Sequence, residues 1–231
     1  MRILALDAST KVASVALVED GRLVYEANLI SGQTHSGKLM PMVAEAFEIS
    51  GWRPADIDVY GVVEGPGSFT DLRIGIATVK GLADAADRPV TGVGTLDVLA
   101  MNIPFFPGRT VPILDARRGE VYTAVFRWET DQLVRETEDM ALPLDELLDL
   151  IVPQTDRALF LGDGVPVLRS KIEARMGSGA VFAPEGTMLQ RASSAAMLVW
   201  KRSAAGQVLP AADLKPRYVR DSNAQKAAWI K

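Results

Sequence analysis

The sequence predicts a mixed α/β chain of two lobes, and three observations carry that expectation. The first 102 residues alternate short β-branched apolar runs with helically spaced ones, in the order β-β-β-α-β-α-β-α. That order demands a mixed five-stranded sheet with helices covering its faces. A Pro/Gly-rich connector then follows, Asn102-Ile-Pro-Phe-Phe-Pro-Gly108. It separates a first lobe, residues 1–103, from a smaller second lobe, residues 104–231. The second lobe repeats the element order in reduced form. Each lobe opens on a strand that ends on an acid, Asp7 and Asp115, without a strong sequence repeat.

In order, Ile3 to Asp7 reads as an apolar strand and Val12 to Val18 as an alternating one. Glu19-Asp-Gly-Arg22 is a hairpin signal, and Leu23 to Leu29 closes a meander. Residues 36–50 predict a helix. Asp58 to Glu64 is a buried strand. Leu72, Ile76, Val79 and Ala83 at helical spacing predict a helix over 70–86, stopped by Pro89. A strand at 90–93 and a helix at 96–102 complete the lobe. The second lobe reads as strands at 111–115 and 121–128, a helix at 144–151, a strand at 158–161 and a helix at 166–176. A short strand at 181–183 and a serine-capped helix at 193–204 end it.

Between the strand and the helix at 58–83 lies Gly65-Pro-Gly-Ser-Phe-Thr-Asp71. A glycine turn feeding a helix N-terminus aims free backbone N–H groups at one spot, which suits a phosphate. The competing reading is a tight connection whose glycines only satisfy backbone geometry. Neither the P-loop spacing nor Gly-x-Gly-x-x-Gly is present. Ser68 or Thr70 can cap the helix. Asp71 favours the helix dipole but repels a phosphate.

Nearly half of the 231 residues are apolar, ample for a core. No cysteine is present, which excludes disulfides, thiolate metal sites and a cysteine nucleophile. One histidine, His35, excludes His-x-x-x-His metal helices. A net charge of −4 advertises no large nucleic-acid footprint. An acid at position 7 interrupts any signal-peptide core, and no apolar run approaches the roughly 20 residues that span a bilayer. The expectation is a soluble cytoplasmic protein with no membrane partner.

The helix at 36–50 carries a surplus. Leu39, Val43, Ala46 and Phe47 make one apolar stripe, while Met40, Met42, Ala44 and Ile49 lie largely off it. Such a surplus means burial on two sides or a partner surface. Pro41 fits only if the regular helix starts near Leu39 or kinks.

Asp7-Ala-Ser-Thr10 at one strand end and Asp115 at another resemble the actin/Hsp70/sugar-kinase architecture. There two hairpins hold nucleotide phosphates and an acid positions a metal. Here Ala8, Ser9 and Thr10 stand where glycine usually lets backbone approach phosphate, and Asp115-Ala-Arg-Arg-Gly119 is bulky near its start. Acids that merely cap turns are the alternative. A denser resemblance runs along the whole chain. Leu4-Ala-Leu-Asp-Ala-Ser-Thr10, His35-Ser36, Gly65-Pro-Gly-Ser-Phe-Thr70, Leu72-Arg-Ile-Gly75, Lys80-Gly-Leu-Ala83, Gly92-Val-Gly-Thr-Leu96, Asp115-Ala-Arg117, Glu120-Val-Tyr122 and Pro216-Arg-Tyr-Val-Arg220 resemble the TsaB (YeaZ) family. One departure is Asp71, where that family usually has glycine.

The resemblance implies a two-domain actin-like fold. It implies a role in threonylcarbamoyladenosine formation on tRNAs that read codons starting with adenine. The chain would be a non-catalytic paralogue that scaffolds TsaD, joined by the ATPase TsaE, and a homodimer when alone. It would hold no metal and no catalytic residue, with ATP or ADP bound only within the complex. Asp7, Ser9, Thr10, Gly65, Gly67, Ser68 and Asp115 would then form a degenerate nucleotide site. The partner surface would use Leu39, Met40, Met42, Val43, Phe47 and Ile49, with Leu72, Gly75, Ile76 and Val79. tRNA would be reached through the complex; Arg117, Arg118, Arg217 and Arg220 are candidates for direct contact, with solvated surface arginines as the preferred reading. The alternatives are an active kinase or ATPase of the superfamily, which needs intact phosphate hairpins, and an M22-type glycopeptidase, which needs a metal or nucleophile.

Overall fold

The computed structural model describes residues 1–30 and 35–219; Arg220 and the rest of the tail lie outside them. Strands β1 (Arg2–Asp7), β2 (Val12–Glu19) and β3 (Arg22–Ile30) form the expected meander. Helix α1 (Leu39–Ser50), β4 (Val59–Gly65), α2 (Phe69–Ala85), β5 (Val90–Gly94) and α3 (Thr95–Ala100) follow. The sheet order is β3-β2-β1-β4-β5. It is antiparallel across the meander and parallel across β1, β4 and β5.

Strand β1 is apolar throughout because both of its faces are covered. Leu4 and Leu6 pack with α1 and α2, while Ile3 and Ala5 pack on the opposite face. A 3-10 turn at His35–Gly37 precedes α1, so the regular helix starts at Leu39 and not at 36. Pro41 therefore sits in the first turn, where a missing N–H costs nothing. Gly51, in the left-handed region, ends the helix. Ser68 is the N-cap of α2, and its hydroxyl donates to Asp71 Oδ2 at 2.6 Å.

The second half contains β6 (Arg109–Asp115), β7 (Glu120–Thr123), β8 (Phe126–Glu129), β9 (Gln132–Arg135) and β10 (Met140–Pro143). Then come α4 (Leu144–Ile151), β11 (Ala158–Leu161), α5 (Val165–Met176), β12 (Ala180–Phe182) and α6 (Ala192–Ala204). Its sheet runs β10-β7-β6-β11-β12, with β8 on β6 and β9 on β8. The main path repeats the first sheet strand for strand, in both order and direction. The second lobe is not reduced in strands: it has seven against five.

Three expectations need correction. The strand expected over 121–128 divides into β7 and β8. Both keep one register against β6, Ile113↔Thr123 and Thr110↔Phe126, which sets Ala124 opposite Pro112. Pro112 has no N–H to give the ladder, so pairing lapses there. Val125 turns instead to Thr137, whose hydroxyl accepts its N–H at 2.9 Å. Second, no serine caps α6. The carboxylate of Glu26 on β3 accepts from Ser193 N–H at 3.0 Å and from Arg191. Third, the boundary at residue 104 does not hold for the chain's end. Ala192, Ala195, Ala196 and Val199 of α6 pack on Ile3, Ala5, Val18 and Val63 of the first sheet. Gly61 permits this, because a Cβ there would come within 2.4 Å of Val199. The strap after α6 stays with the first lobe: Leu209 bridges Val90, and Leu214 is buried in the core beneath α2.

Candidate functional site

The end of β1 is closed. Asp7 is fully buried, and its Oδ1 accepts the Ser9 N–H at 2.7 Å. Its Oδ2 is buried with no hydrogen-bond partner among the described residues. Burial pushes the Asp7 carboxyl up to about 6, against the pull of the Ser9 amide and of His35. Thr10 donates its hydroxyl to Gln190 Oε1 at 3.1 Å. His35 Nε2 lies 2.6 Å from the Thr10 carbonyl, which can only accept, so Nε2 carries the proton. His35 Nδ1 and Gln190 Nε2 are buried without partners among the described residues. Lone histidines in a fold are often structural, and this one braces the turn after Asp7. Gln190 gives no sequence signal; it comes to Thr10 from 180 positions away.

The Gly65-Pro66-Gly67 turn packs onto the Asp7 turn. The Ser68 N–H donates to the Ser9 carbonyl at 2.7 Å, and a Cβ on Gly67 would come within 2.0 Å of that oxygen. On the other side the strap crosses the turn. Arg217 N–H donates to the Glu64 carbonyl at 2.7 Å, and a Cβ on Gly65 would lie 2.3 Å from Arg217 O. The glycines are there so that backbone can touch backbone. Asp7, Ser9, Thr10, Gly65, Gly67 and Ser68 do converge, as the sequence suggests, but they converge on one another.

The end of β6 is open. Asp115 is exposed, accepts the Arg117 N–H at 2.8 Å and pairs with the Arg117 guanidinium at 3.5 Å. Arg117 and Arg118 both take positive φ, 64° and 58°, a rare pair for bulky residues. Asp163, from the turn after β11, accepts the Asp115 N–H at 3.1 Å. Burial raises the Asp163 pKa, while the Asp115 amide and Lys11 pull it down. Lys11 belongs to the turn after Asp7, so the turns after the two strands lie near enough for one's charge to act on the other. Sequence reading missed Lys11, Asp163 and Gln190.

A partly buried ionic network ties the lobes together. Arg135 pairs with Asp97 and with Asp139, and Arg217 reaches Asp139 at 3.2 Å. Arg217 thus braces one lobe against the other. Burial raises the Glu64 pKa here, with Arg202 and Arg217 opposing.

The expected partner surface is mostly interior. Leu39, Met42 and Val43 of α1 and Leu72, Ile76 and Val79 of α2 are buried within the lobe. Gly75 faces inward, with Ala8 only 3.3 Å from where its Cβ would be, so it does not open the outer face of α2. What remains outside is Met40 and Ile49, with Phe47 half-buried and Phe69 at the start of α2. Phe69 stacks on Tyr218 of the strap, centroids 5.2 Å apart, and Arg73 lies over its ring.

Comparison with known proteins follows this geometry. The family model for TsaD, tRNA N6-adenosine threonylcarbamoyltransferase, matches residues 29–228. A tRNA threonylcarbamoyladenosine biosynthesis protein TsaB of Bacillus subtilis (strain 168) is 32% identical over 233 residues, covering 100% of this chain and 98% of that protein. A crystal structure from Pseudomonas aeruginosa, described as similar to peptidase YeaZ, superposes with a TM-score of 0.82 at 28% identity, covering 95% and 99% of the two chains. A ROK hexokinase from Thermus thermophilus superposes at 0.52 with 11% identity, covering 89% and 100%, a likeness of fold alone. The two sheets described above are thus those of the actin-like, sugar-kinase fold.

Proposed function

This chain belongs to the TsaB family of tRNA threonylcarbamoyladenosine biosynthesis proteins, and from that premise we propose that it is the non-catalytic scaffold of the pathway's transferase. One observation carries this reading. Asp7 stands at the strand end where the resemblance to nucleotide-binding folds would put a metal-positioning acid, and here it is sealed inside the protein. A phosphate reaching it would have to displace the Ser9–Ser68 contact and the Thr10–Gln190 bond. A kinase or ATPase mechanism has no route to that carboxylate. The sequence, with one histidine and no cysteine, offers no two-histidine metal pair.

The partner is TsaD, with TsaE joining the pair, and a second copy takes the same face when the chain is alone. Exposed Met40 and Ile49 on α1 support this assignment, since apolar side chains that the lobe leaves bare favour a covering partner. ATP or ADP binds only in the complex, tRNA is met through TsaD, and the assembly works in the cytoplasm. Among the described residues no helix is long and apolar enough to cross a membrane. Sedimentation of the chain with and without TsaD tests the proposal. Met40→Glu with Ile49→Glu should leave circular dichroism unchanged and abolish both assemblies. A folded double variant that still pairs would refute the chosen face. Saturable ATP binding by the isolated chain would refute the scaffold reading.

A further inference from the structure

Arg109 on β6 and Arg127 on β8 stand directly opposite each other in an antiparallel pair, so both side chains leave one face. Like charges in register destabilise a ladder. Glu136 lies between them, 2.6 Å from Arg109 Nε and 2.9 Å from Arg127 Nε. One carboxylate thus serves two cations. Arg109 also donates to the Gln154 carbonyl, and Arg127 pairs with Glu129 at the exposed rim. Arg109 Nη2 and Arg127 Nη1 donate no hydrogen bond among the described residues. These side chains line a cavity of about 330 Å³, together with Val134, Arg135, Leu150 and Ile151. That volume lies within the range of small-ligand sites, and polar groups converge on it beside aliphatic side chains. The cavity sits at the start of β6, the opposite end from Asp115.

We propose that this cavity binds a small organic oxyanion, a carboxylate or phosphate ester with an apolar body. Its charge docks on the guanidinium groups of Arg109 and Arg127, and its body rests on the aliphatic side chains. Glu136 is the internal counter-ion with which the ligand competes. Planar guanidinium groups suit this class because each offers paired donors to an oxyanion.

Calorimetric titration of the full chain with phenyl phosphate at low ionic strength is the test. Saturable one-site binding is expected, weakened about tenfold in Arg127→Gln and strengthened several-fold in Glu136→Gln. Arg127 is chosen because its removal leaves the Arg109–Gln154 contact intact. Should Arg127→Gln fail to fold by circular dichroism, Glu136→Gln decides alone. Absence of saturable heat from the wild type overturns the site. So does binding that neither substitution changes.

Discussion

The two sheets share one strand order, and each first strand ends on an aspartate, yet the two ends have opposite fates. At β1 the acid is buried, its turn is pinned by Ser68, Gln190 and His35, and neighbouring backbones touch. At β6 the acid is exposed, and its turn carries two arginines in strained conformations with room around them. A duplicated architecture thus keeps its topology while one of its two strand ends is filled in. Topology follows from the periodicity and hydrogen bonding of whole strands. Access to a strand end depends on three or four side chains and a glycine, so it can be lost without disturbing the sheet.

The sharpest contrast comes from one substitution made at both ends. Gly67→Ala drives a Cβ into the Ser9 carbonyl, backbone against backbone, and should cost about 3 kcal/mol or more. Gly119→Ala, at φ 78° with nothing within 4 Å, should cost only about 1 kcal/mol. Urea denaturation measures both, and equal losses would break the contrast between closed and open ends.

Next in size is Asp7→Asn. The folded-state pKa of about 6 lies above the ordinary 3.8, so the native protein holds this proton more tightly than the unfolded chain does. Stability should therefore fall as pH rises from about 4 to about 6, by up to about 3 kcal/mol. Asp7→Asn should flatten that slope and raise stability at pH 7. Asp115→Asn, at the exposed end, should change stability by less than about 0.5 kcal/mol. Denaturation curves at pH 4.5 and 7.5 decide, and an unaltered slope in Asp7→Asn would sink the account of a charge sealed by burial.

A smaller effect than those at Gly67 and Asp7 is expected at Asp71, in the first turn of α2. Asp71→Gly removes the bond from Ser68 and the favourable charge in the first turn of α2. A loss of about 1 kcal/mol is expected. A loss of several in the melting curve would mean that Asp71 supports the closed turn itself.

Much of this was legible beforehand because strand and helix periodicities are local. The meander, α2 and the acid-ended strands stand nearly where the spacing puts them. The division of β7 from β8 was missed, because Pro112 lies on the neighbouring strand and acts across the ladder. Strands β9 and β10 escaped because four-residue segments such as Gln132–Arg135 carry too little pattern to separate from loop. Met42 was misplaced because α1 buries a wider arc than one stripe, against two elements of its own lobe. The closure of Asp7 was illegible in principle. It depends on Gln190 and on the strap at Arg217, contacts that no local spacing encodes.

The return of α6 to the first sheet has a consequence for how the protein is made. A ribosome releases the first five strands long before residue 192, yet most of one face of that sheet has no cover until α6 arrives, since only Val98 of α3 joins it earlier. Ile3, Ala5 and Val18 lack their covering helix through the synthesis of the whole second lobe. The lobe made first is therefore the lobe finished last, and the nascent chain presents an apolar surface for most of its elongation. Protease sensitivity of arrested chains that end before and after α6 would read this order directly.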